Sequence, residues 1–228
     1  MILWRWRWFL RKKSRPTPEA LGLEPPINLG ELRIVYVNLD RRRDRKKEIE
    51  KEFEGLGIQH AERFSAIENT DGGLGCAKSH TACLLLIGGE DFRPTLICED
   101  DIEFLAPRET IESVVDEFLL NPLLDVLCLG NALIEKPKKI SPQLSISNNI
   151  QTTSCYLVKK EAVSPLVEVA QKSVEGLSAG RDYGRYAYDQ VWKSLQQGRL
   201  IFAVPNTRLV RQRSSYSDIE KKIVSYKS

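Results

Sequence analysis

The sequence lacks most of the features that mark membrane-spanning, secreted or zinc-finger proteins. No window in the 228 residues approaches the roughly eighteen uncharged apolar residues that a transmembrane helix requires. No two cysteines form a CxxC pair, and the five are dispersed: Cys76, Cys83, Cys98, Cys128 and Cys155. We therefore expect core thiols in a reducing, cytoplasmic compartment, with neither a disulfide framework nor a zinc site.

Positive charge is concentrated at the start of the chain. Six basic residues precede the first acid, Glu19; they are Arg5, Arg7, Arg11, Lys12, Lys13 and Arg15. Removing these six from the formal net charge of +3 leaves −3 for the rest of the chain. Nucleic-acid binding depends on many contacts from Lys and Arg to phosphate, so a mildly acidic body argues against a nucleic-acid partner.

The N-terminal segment alternates tryptophan with arginine from Trp4 to Trp8 and then turns basic. This pattern is typical of a peripheral membrane contact through residues 1–15, with rings at headgroup depth and cations near anionic lipid. The segment is too short to span a bilayer and lacks the apolar stretch and cleavage site of a secretory signal. A disordered tail explains the pattern equally well. Because residues 16–26 form a Pro-rich linker, we expect a tail and linker over 1–30 and one domain over 31–228.

Strand-like runs alternate with segments of helical periodicity through the rest of the chain. The strand-like runs are Arg33 to Asn38, Thr95 to Cys98, Val126 to Leu129, Ile150 to Val158 and Leu200 to Val204. The helical segments carry Ile49, Phe53 and Leu56; Cys76 to Ile87; Ile111 to Leu119; and Val191 to Leu195. This alternation predicts an α/β sheet with crossover connections. The polar stretch from Gly130 to Ser147 is expected to be a surface excursion.

Three consecutive acids, Glu99, Asp100 and Asp101, directly follow the predicted strand that ends at Cys98. Their mutual repulsion and partial desolvation need an offset, and a divalent cation would provide it. Mg²⁺ and Mn²⁺ take carboxylate oxygens together with substrate phosphates, and ligands of open α/β sheets bind at the carboxyl ends of strands. The alternative is a solvated acidic turn, which is the commoner explanation of an isolated tripeptide of this kind.

Six blocks of sequence resemble glycosyltransferase family 25, which includes bacterial lipopolysaccharide galactosyltransferases and procollagen galactosyltransferases. The blocks are IVYVNLDRRRDR, GGLGCAKSH, LICEDDIEF, TTSCYLVKKEA, YDQVW and VRQRSSYSDI. They span residues 32–219 in the family's order. The resemblance implies a GT-A-type nucleotide-diphospho-sugar transferase fold, with a single Rossmann-like mixed sheet flanked by helices. It also implies a UDP-hexose donor, a divalent cation, Mn²⁺ or Mg²⁺, and inversion at the anomeric carbon.

Carried onto this chain, the first block implies a donor-binding turn. Asn38 and Leu39 would lie beside the nucleoside, while Arg41 or Arg45 reaches toward phosphate, because the arginine fork binds phosphate oxygens in pairs. Ser79 and His80 match a Ser-His pair that lines the site. For His80, the two alternatives are a hydrogen-bonded core role and direct catalysis.

The remaining blocks imply the metal and the catalytic base. Asp101, assisted by Asp100 or Glu99, would bind the cation or the ribose hydroxyls. Asp189 is the candidate base, with a helix N-cap as its alternative role. The last block matches a Gln-to-Ser-Asp-Ile pattern at Gln212, Ser217, Asp218 and Ile219. No histidine follows His80, so water, Gln212 or Asp218 would complete the metal site.

We therefore expect an inverting, metal-dependent hexosyltransferase. It would move galactose or glucose from a UDP-sugar to a saccharide, glycoconjugate or other hydroxylated acceptor. A catalytically silent nucleotide- or carbohydrate-binding module with the same fold is the alternative. A metal-dependent phosphohydrolase would need more metal ligands than these carboxylates supply.

Overall fold

The computed structural model describes residues 28–89, 92–217, 219 and 222–224. The predicted membrane contact of residues 1–15 and most of the predicted tail and linker lie outside these residues, as does Asp218. Among the residues described, no helix has both the length and the apolar composition that crossing a bilayer demands.

An eight-stranded mixed sheet organises the domain. In chain order the strands are β1 (Arg33–Asn38), β2 (Glu62–Ser65), β3 (Thr95–Glu99), β4 (Ile102–Phe104), β5 (Val126–Leu133), β6 (Lys138–Lys139), β7 (Leu144–Ser147), β8 (Ile150–Val158), β9 (Phe202–Pro205), β10 (Val210–Gln212), β11 (Ser215–Ser217) and β12 (Lys222–Val224). The sheet order is β2-β1-β3-β8-β5-β9-β7-β6, and β4 with β10 and β11 with β12 form two separate pairs. Strands β1, β2 and β3 are parallel, whereas β8 is antiparallel to both β3 and β5.

Helices cover both faces of the sheet. They are α1 (Arg43–Gly55), α2 (Gly72–Ile87), α3 (Arg108–Leu120), α4 (Lys160–Ser178) and three single turns, α5 (Tyr183–Tyr186), α6 (Tyr188–Val191) and α7 (Lys193–Gln196). Helices α1 and α3 bury one apolar stripe each against one face, and α2, α4 and the late turns pack on the other. The central strands are apolar on both sides because both faces are covered. The predicted α/β class, with a mixed sheet flanked by helices, is confirmed.

The register of the parallel strands fixes where the site forms. Val37 of β1 lies beside Glu99 of β3, so both chains leave the sheet at the same edge. Asn38 ends β1 there, and Asp100 and Asp101 follow β3 there. The start of α2 lies at this edge too, and Asp71 caps it by accepting a hydrogen bond from the Leu74 amide at 3.1 Å. This cap explains why the helix begins at Gly72, four residues before the predicted Cys76.

Two segments differ from the sequence-based expectations. The predicted surface excursion from Gly130 to Ser147 is wrong, because β5 continues to Leu133 and the following residues form the β6 and β7 strands that extend the sheet. Leu144 in β7 is fully buried, which explains why this polar stretch is held on the sheet. Helix α4 is not among the predicted elements, and its internal Pro165 is a residue that normally interrupts helices.

Candidate active site

A cleft opens at the sheet edge where β1 and β3 end. Its walls come from the β1–α1 turn, the first turns of α2, the acids after β3 and the β10–β11 region. The lining includes Leu39, Arg41, Arg45, Ser79, His80, Glu99, Asp100, Asp101 and Gln212. Residues that are far apart in the sequence therefore meet in one place, at the carboxyl ends of parallel strands where open α/β sheets bind ligands. Neither Asn38 nor Asp189 lines the cleft. Asn38 contacts its lining residue Asp100, and Asp189 is joined to its lining residue Gln212 through Thr152.

Asp100 and Asp101 are held in the cleft wall by Arg45. The guanidinium Nη1 donates to Asp100 Oδ1 at 3.0 Å and lies 3.1 Å from Asp101 Oδ2. Both aspartates are less than a tenth exposed, so the alternative of a solvated acidic turn is wrong. A buried arginine between two buried carboxylates offsets part of their desolvation cost.

Asn38 fixes Asp100 from behind. Its Nδ2 donates to Asp100 Oδ2 at 2.7 Å, and its Oδ1 accepts from Arg63 Nε at 2.9 Å. Both oxygens of Asp100 are thus occupied by protein donors. Asn38 therefore positions an acid of the cleft wall, and its predicted contact with a nucleoside stays a prediction.

Two polar atoms of this cluster have no partner among the described residues. They are Oδ1 of Asp101 and Nε of Arg45, and both are buried. Buried polar atoms are almost always hydrogen-bonded, because a buried donor or acceptor without a hydrogen bond costs about 1–3 kcal/mol. An orphaned acceptor on a carboxylate that faces a cleft is the arrangement expected of a cation or ligand position.

The pKa values of the three acids are not shifted in the same direction. Burial, followed by the charge of Glu99, raises the pKa of Asp101 to about 7, although Arg45 opposes the rise. Burial also raises the pKa of Asp100 above its ordinary value, against the charge of Arg45 and the hydrogen bond from Asn38. Burial alone would raise the pKa of Glu99 as well, but hydrogen bonds from His80 and Thr153 hold it below its usual range. Asp101 is therefore the acid most in need of a positive partner.

His80 joins the core to the cleft. Its Nδ1 lies 3.0 Å from the Tyr156 hydroxyl, and its Nε2 lies 3.3 Å from Glu99 Oε1. Its ring packs between those of Tyr156 and Tyr188, with centroids 5.8 and 5.2 Å away. His80 is thus a buried, hydrogen-bonded residue that also lines the site, and its direct role in catalysis stays a prediction. The neighbouring Ser79 donates to the Gly75 carbonyl within α2 and accepts from the Ile67 amide. It therefore ties the segment before α2 to the helix.

Asp189 is placed by a strained segment of β8. Its Oδ2 accepts from the Thr152 amide at 3.3 Å, and Thr152 Oγ1 donates to Gln212 Oε1 at 3.1 Å. Thr152 has a φ of +64°, in the left-handed region that β-branched residues avoid. The N-cap alternative for Asp189 is wrong, because Ala187 caps α6. Burial raises the pKa of Asp189, and the hydrogen bond from Thr152 opposes that rise.

The donor set fits a divalent cation at Asp101. Among the described residues its Oδ1 is a buried oxygen without a hydrogen-bond partner. Glu99 is close enough for its charge to raise the pKa of Asp101, while a hydrogen bond from Gln212 lowers it. Asp100 fits less well, because both of its oxygens already accept hydrogen bonds. Gln212 also lines the cleft and could supply a third oxygen.

Several residues of this site were not predicted as site residues. Arg63 lies outside the six blocks, and Thr153 and Tyr156 lie within the block TTSCYLVKKEA without a predicted role. They act through contacts with Asn38, Glu99 and His80, which only the folded sheet brings together. Thr152 is singled out by a backbone angle that sequence patterns do not reveal. Arg45 could have been separated from its basic neighbours, since it precedes Ile49 by one helical turn and shares its buried face.

Comparison with known proteins shows resemblance only at the level of structure. No protein-family model matches the chain, and neither does any curated protein. A glycosyltransferase involved in the glycosylation of the major capsid of PBCV-1 is 15% identical with a TM-score of 0.40, and the match covers 83% of this chain and 96% of that one. A197 from STIV is 11% identical with a TM-score of 0.39, covering 86% and 96%.

A third structure is the inositol-1-phosphate CTP transferase from T. maritima. It is 17% identical with a TM-score of 0.40, covering 82% of this chain and 71% of that one. By their names, this structure and the first are transferases of a nucleotide and of a sugar. Similarities of this size carry no argument about function, which rests instead on the geometry of the cleft.

Proposed function

We propose that the protein is a metal-dependent glycosyltransferase of GT-A type, similar to family 25, that transfers a hexose from a UDP-sugar to a saccharide or other hydroxylated acceptor. One observation carries the proposal: the acids at the end of β3 converge with Arg45, His80 and Gln212 in one cleft, where Asp101 keeps a buried oxygen that no described residue contacts through a hydrogen bond. The motifs that resemble the family contribute most of these residues.

In this proposal Asp101, with Glu99 and Gln212, holds the cation against the donor pyrophosphate. A bound Mn²⁺ or Mg²⁺ would supply Lewis-acid stabilisation of the UDP leaving group, which is worth several kcal/mol. Arg45 and Asn38 keep the acids in place by the contacts described above. Leu39 and Arg41 line the cleft mouth, where the nucleoside and a phosphate would lie.

Asp189 is the proposed base. Inversion needs a carboxylate that accepts the proton of the acceptor hydroxyl on the side opposite the leaving group. Asp189 is half-buried and belongs to a separate segment from the metal-side acids, joined to Gln212 through Thr152. A carboxyl whose pKa is raised by burial is suited to taking up a proton.

A second candidate function is a module that binds nucleotide without turnover. It is favoured by the position of Arg45, which already provides Asp100 and Asp101 with a positive partner. The two functions differ in what the cation does. For the transferase, UDP binding strengthens with Mn²⁺ and donor is consumed; for the module, calorimetry shows UDP binding that is independent of Mn²⁺, and donor stays intact.

The decisive experiment is a screen of UDP-hexoses for UDP release, with Mn²⁺ and with chelator, in the presence and absence of saccharide acceptors. We expect release that requires the metal and increases with one class of acceptor. For variants of the cleft acids, Asp44→Asn provides a matched control, because Asp44 is an exposed acid of α1 that pairs with Arg42. Metal-independent release, or none with any donor, would contradict the proposal.

The N-terminal tail carries a separate proposal, namely that residues 1–15 bring the enzyme to an anionic membrane surface where a lipid-linked acceptor lies. Sedimentation with phosphatidylserine-containing liposomes, using the full chain and a chain that begins after residue 15, tests this. We expect only the full chain to sediment, and to do so less at high salt. Equal partitioning of both chains would refute the membrane contact.

A further inference from the structure

A thiol, an imidazole and a carboxylate meet at the inner end of the cleft. The ligand atoms that Cys76, His80 and Glu99 can offer all lie within 4.8 Å of one another. Cys76 and His80 are one turn apart on α2, while Glu99 ends β3. Among the described residues, these three are the group of histidine, cysteine and acidic side chains whose potential ligand atoms lie this close together.

We propose that Cys76, His80 and Glu99 form a binding site for a thiophilic divalent cation, with Zn²⁺ as the expected metal. A sulfur, a nitrogen and an oxygen ligand make a set that Zn²⁺ accepts readily, whereas Mg²⁺ and Mn²⁺ prefer oxygen alone. The proposed site shares Glu99 with the Asp101 position but adds a sulfur and a nitrogen ligand from α2, and it does not depend on the transferase proposal. It also departs from the expectation, drawn from the missing CxxC pair, that the chain has no zinc site.

The distances suit tetrahedral coordination. Zinc bonds of about 2.3 Å to sulfur and about 2.0–2.2 Å to nitrogen and oxygen place the ligand atoms roughly 3.3–3.6 Å apart. His80 Nε2 and Glu99 Oε1 are already 3.3 Å apart. Cys76 Sγ lies within 4.8 Å of both, so a shift of about 1 Å, within the range of a side-chain rotation, completes the triangle.

The surroundings hold two of the ligands in place. The Tyr156 hydroxyl lies 3.0 Å from His80 Nδ1, which leaves Nε2 directed toward Glu99 and the cleft. Thr153 Oγ1 donates to Glu99 Oε1 at 3.1 Å. Such outer partners orient metal ligands and are typical of built sites. Cys76 is partly exposed and lines the cleft, so a cation can enter and a fourth position stays available to water or substrate.

The local charge also favours a cation. Cys76 stands near three acids, Glu99, Asp189 and Asp101, whose negative charges add to burial in raising the pKa of its thiol. A divalent ion at this point would offset that accumulated negative charge and would bind the thiolate directly.

Cobalt substitution in the full chain tests the site without any need for turnover. Co²⁺ added to metal-free protein should give a near-ultraviolet thiolate charge-transfer band and intense visible bands of tetrahedral geometry, and Zn²⁺ should displace them. In Cys76→Ser the thiolate band should vanish, and Zn²⁺ should bind at least about 10- to 100-fold more weakly, the loss that follows removal of an outer partner alone. Glu99→Gln should weaken binding while keeping a thiolate band.

Cys83→Ala serves as the matched control, since Cys83 lies two turns further along the same helix and is buried away from the cleft. It should keep the full cobalt spectrum. Circular dichroism melts confirm that each variant is folded. The proposal is overturned if wild-type protein shows no thiolate band on saturation with Co²⁺, or if Cys76→Ser keeps that band. The cobalt titration does not involve a UDP-sugar, so a negative result would not bear on UDP-sugar turnover. The two proposals can therefore fail separately.

Discussion

Buried charged side chains lie at both ends of the central strands, and their hydrogen bonding differs between the two ends. At the edge where β3 ends, Asp101 keeps one oxygen and Arg45 one nitrogen without a partner among the described residues. At the opposite edge, where β8 ends, Lys159 donates to the carbonyls of Phe118, Leu119 and Asn121 at 2.7–3.1 Å. The antiparallel pairing of β8 with β3 places these clusters at opposite ends of the same strands.

The Lys159 ammonium makes three hydrogen bonds and has a structural role. Three carbonyls at or just after the C-terminal end of α3 accept hydrogen bonds from a buried ammonium, whose positive charge favours the negative helix terminus. Those of Phe118 and Asn121 also accept from the Asn121 and Leu124 amides. The Asp101 cluster is incomplete by the same standard. We therefore propose that the ligand position lies at the Asp101 cluster, at the carboxyl ends of the parallel strands.

Replacing Asp101 tests this difference most strongly. Asp101→Asn keeps the size of the side chain and removes its charge, so we expect transfer to fall by about a thousandfold or more, the equivalent of several kcal/mol of metal stabilisation. The measurement is UDP release with saturating Mn²⁺. The control Asp44→Asn should keep its activity. Full activity in the Asp101 variant would remove Asp101 from the site.

Asp189→Asn separates the base from the metal side. We expect transfer to fall by about 10²–10⁴-fold, because an amide accepts no proton, while UDP binding with Mn²⁺ is retained. Calorimetry and acceptor-dependent UDP release on the same preparation measure the two quantities. If both binding and transfer survive, Asp189 is a structural partner of Thr152 and the base lies elsewhere.

The stability of the metal-free protein should depend on pH through Asp101. Its pKa is about 7 in the folded protein and about 3.8 in the unfolded chain, so the folded state binds the proton more tightly. Its stabilising contribution is therefore complete below about pH 4 and is lost as the pH rises to 7, by up to about 4 kcal/mol.

Urea unfolding at pH 5 and pH 8, with and without Mn²⁺, measures the part of this loss that falls between the two pH values, roughly 3 kcal/mol. Asp101→Asn should lack it and should be the more stable protein at pH 8 without metal. Saturating Mn²⁺ should restore stability to the wild-type protein only, because a ligand that binds the folded state stabilises it. A wild-type protein that is equally stable at both pH values would show that Asp101 is not poised in this way.

At the other edge, Lys159→Met should act on stability alone. Three carbonyls lose a charged donor, which we expect to cost about 3 kcal/mol, while activity per folded molecule stays unchanged. Lys160→Met is the matched control, since Lys160 is exposed, and should change stability by about 0.5 kcal/mol or less. Urea titrations give both values. A strong loss of activity in the folded Lys159 variant would break the proposed contrast between the edges.

Much of the fold could be predicted because its strands are buried on both faces. Strands β1 and β8 have the predicted bounds, Arg33–Asn38 and Ile150–Val158, since continuous apolar runs mark strands covered by helices. The edge at which the acids gather also followed from the sequence, because parallel strands end together. Strands β6 and β7 could not be predicted, since their polar, Pro-containing sequence resembles a loop. They are held by the pairing of β7 with β9 and of β6 with β7, and by the burial of Leu144.

Within the candidate site, motifs located the residues but did not reveal how they pair. They placed Asn38 at the site but did not reveal that its side chain donates a hydrogen bond to Asp100. They could not show that Arg45 holds both aspartates, because Arg41 to Lys47 reads as one basic run until helical phase is considered. Contacts between segments 55 or more residues apart, as between Arg45 and Asp100, depend on sheet order, which local patterns leave undetermined.

The smallest predicted effect concerns the backbone at the cleft edge. Thr152 has a φ of +64°, a conformation that costs a non-glycine residue roughly 1–3 kcal/mol. Ordinary strand positions favour alanine over glycine by roughly 0.5–1 kcal/mol. At Thr152 we expect the reverse, with Thr152→Gly more stable than Thr152→Ala by about 1 kcal/mol.

The neighbouring Thr153 provides the matched pair, because it has no positive φ and should follow the ordinary preference. Both Thr152 variants also lose the hydroxyl that donates to Gln212, so both should transfer sugar more slowly. If alanine proves the better residue at both positions, the strain is absent in solution. If glycine is better only at 152, the cleft edge holds conformational strain next to Asp189 and Gln212, which is how proteins commonly position groups for a ligand.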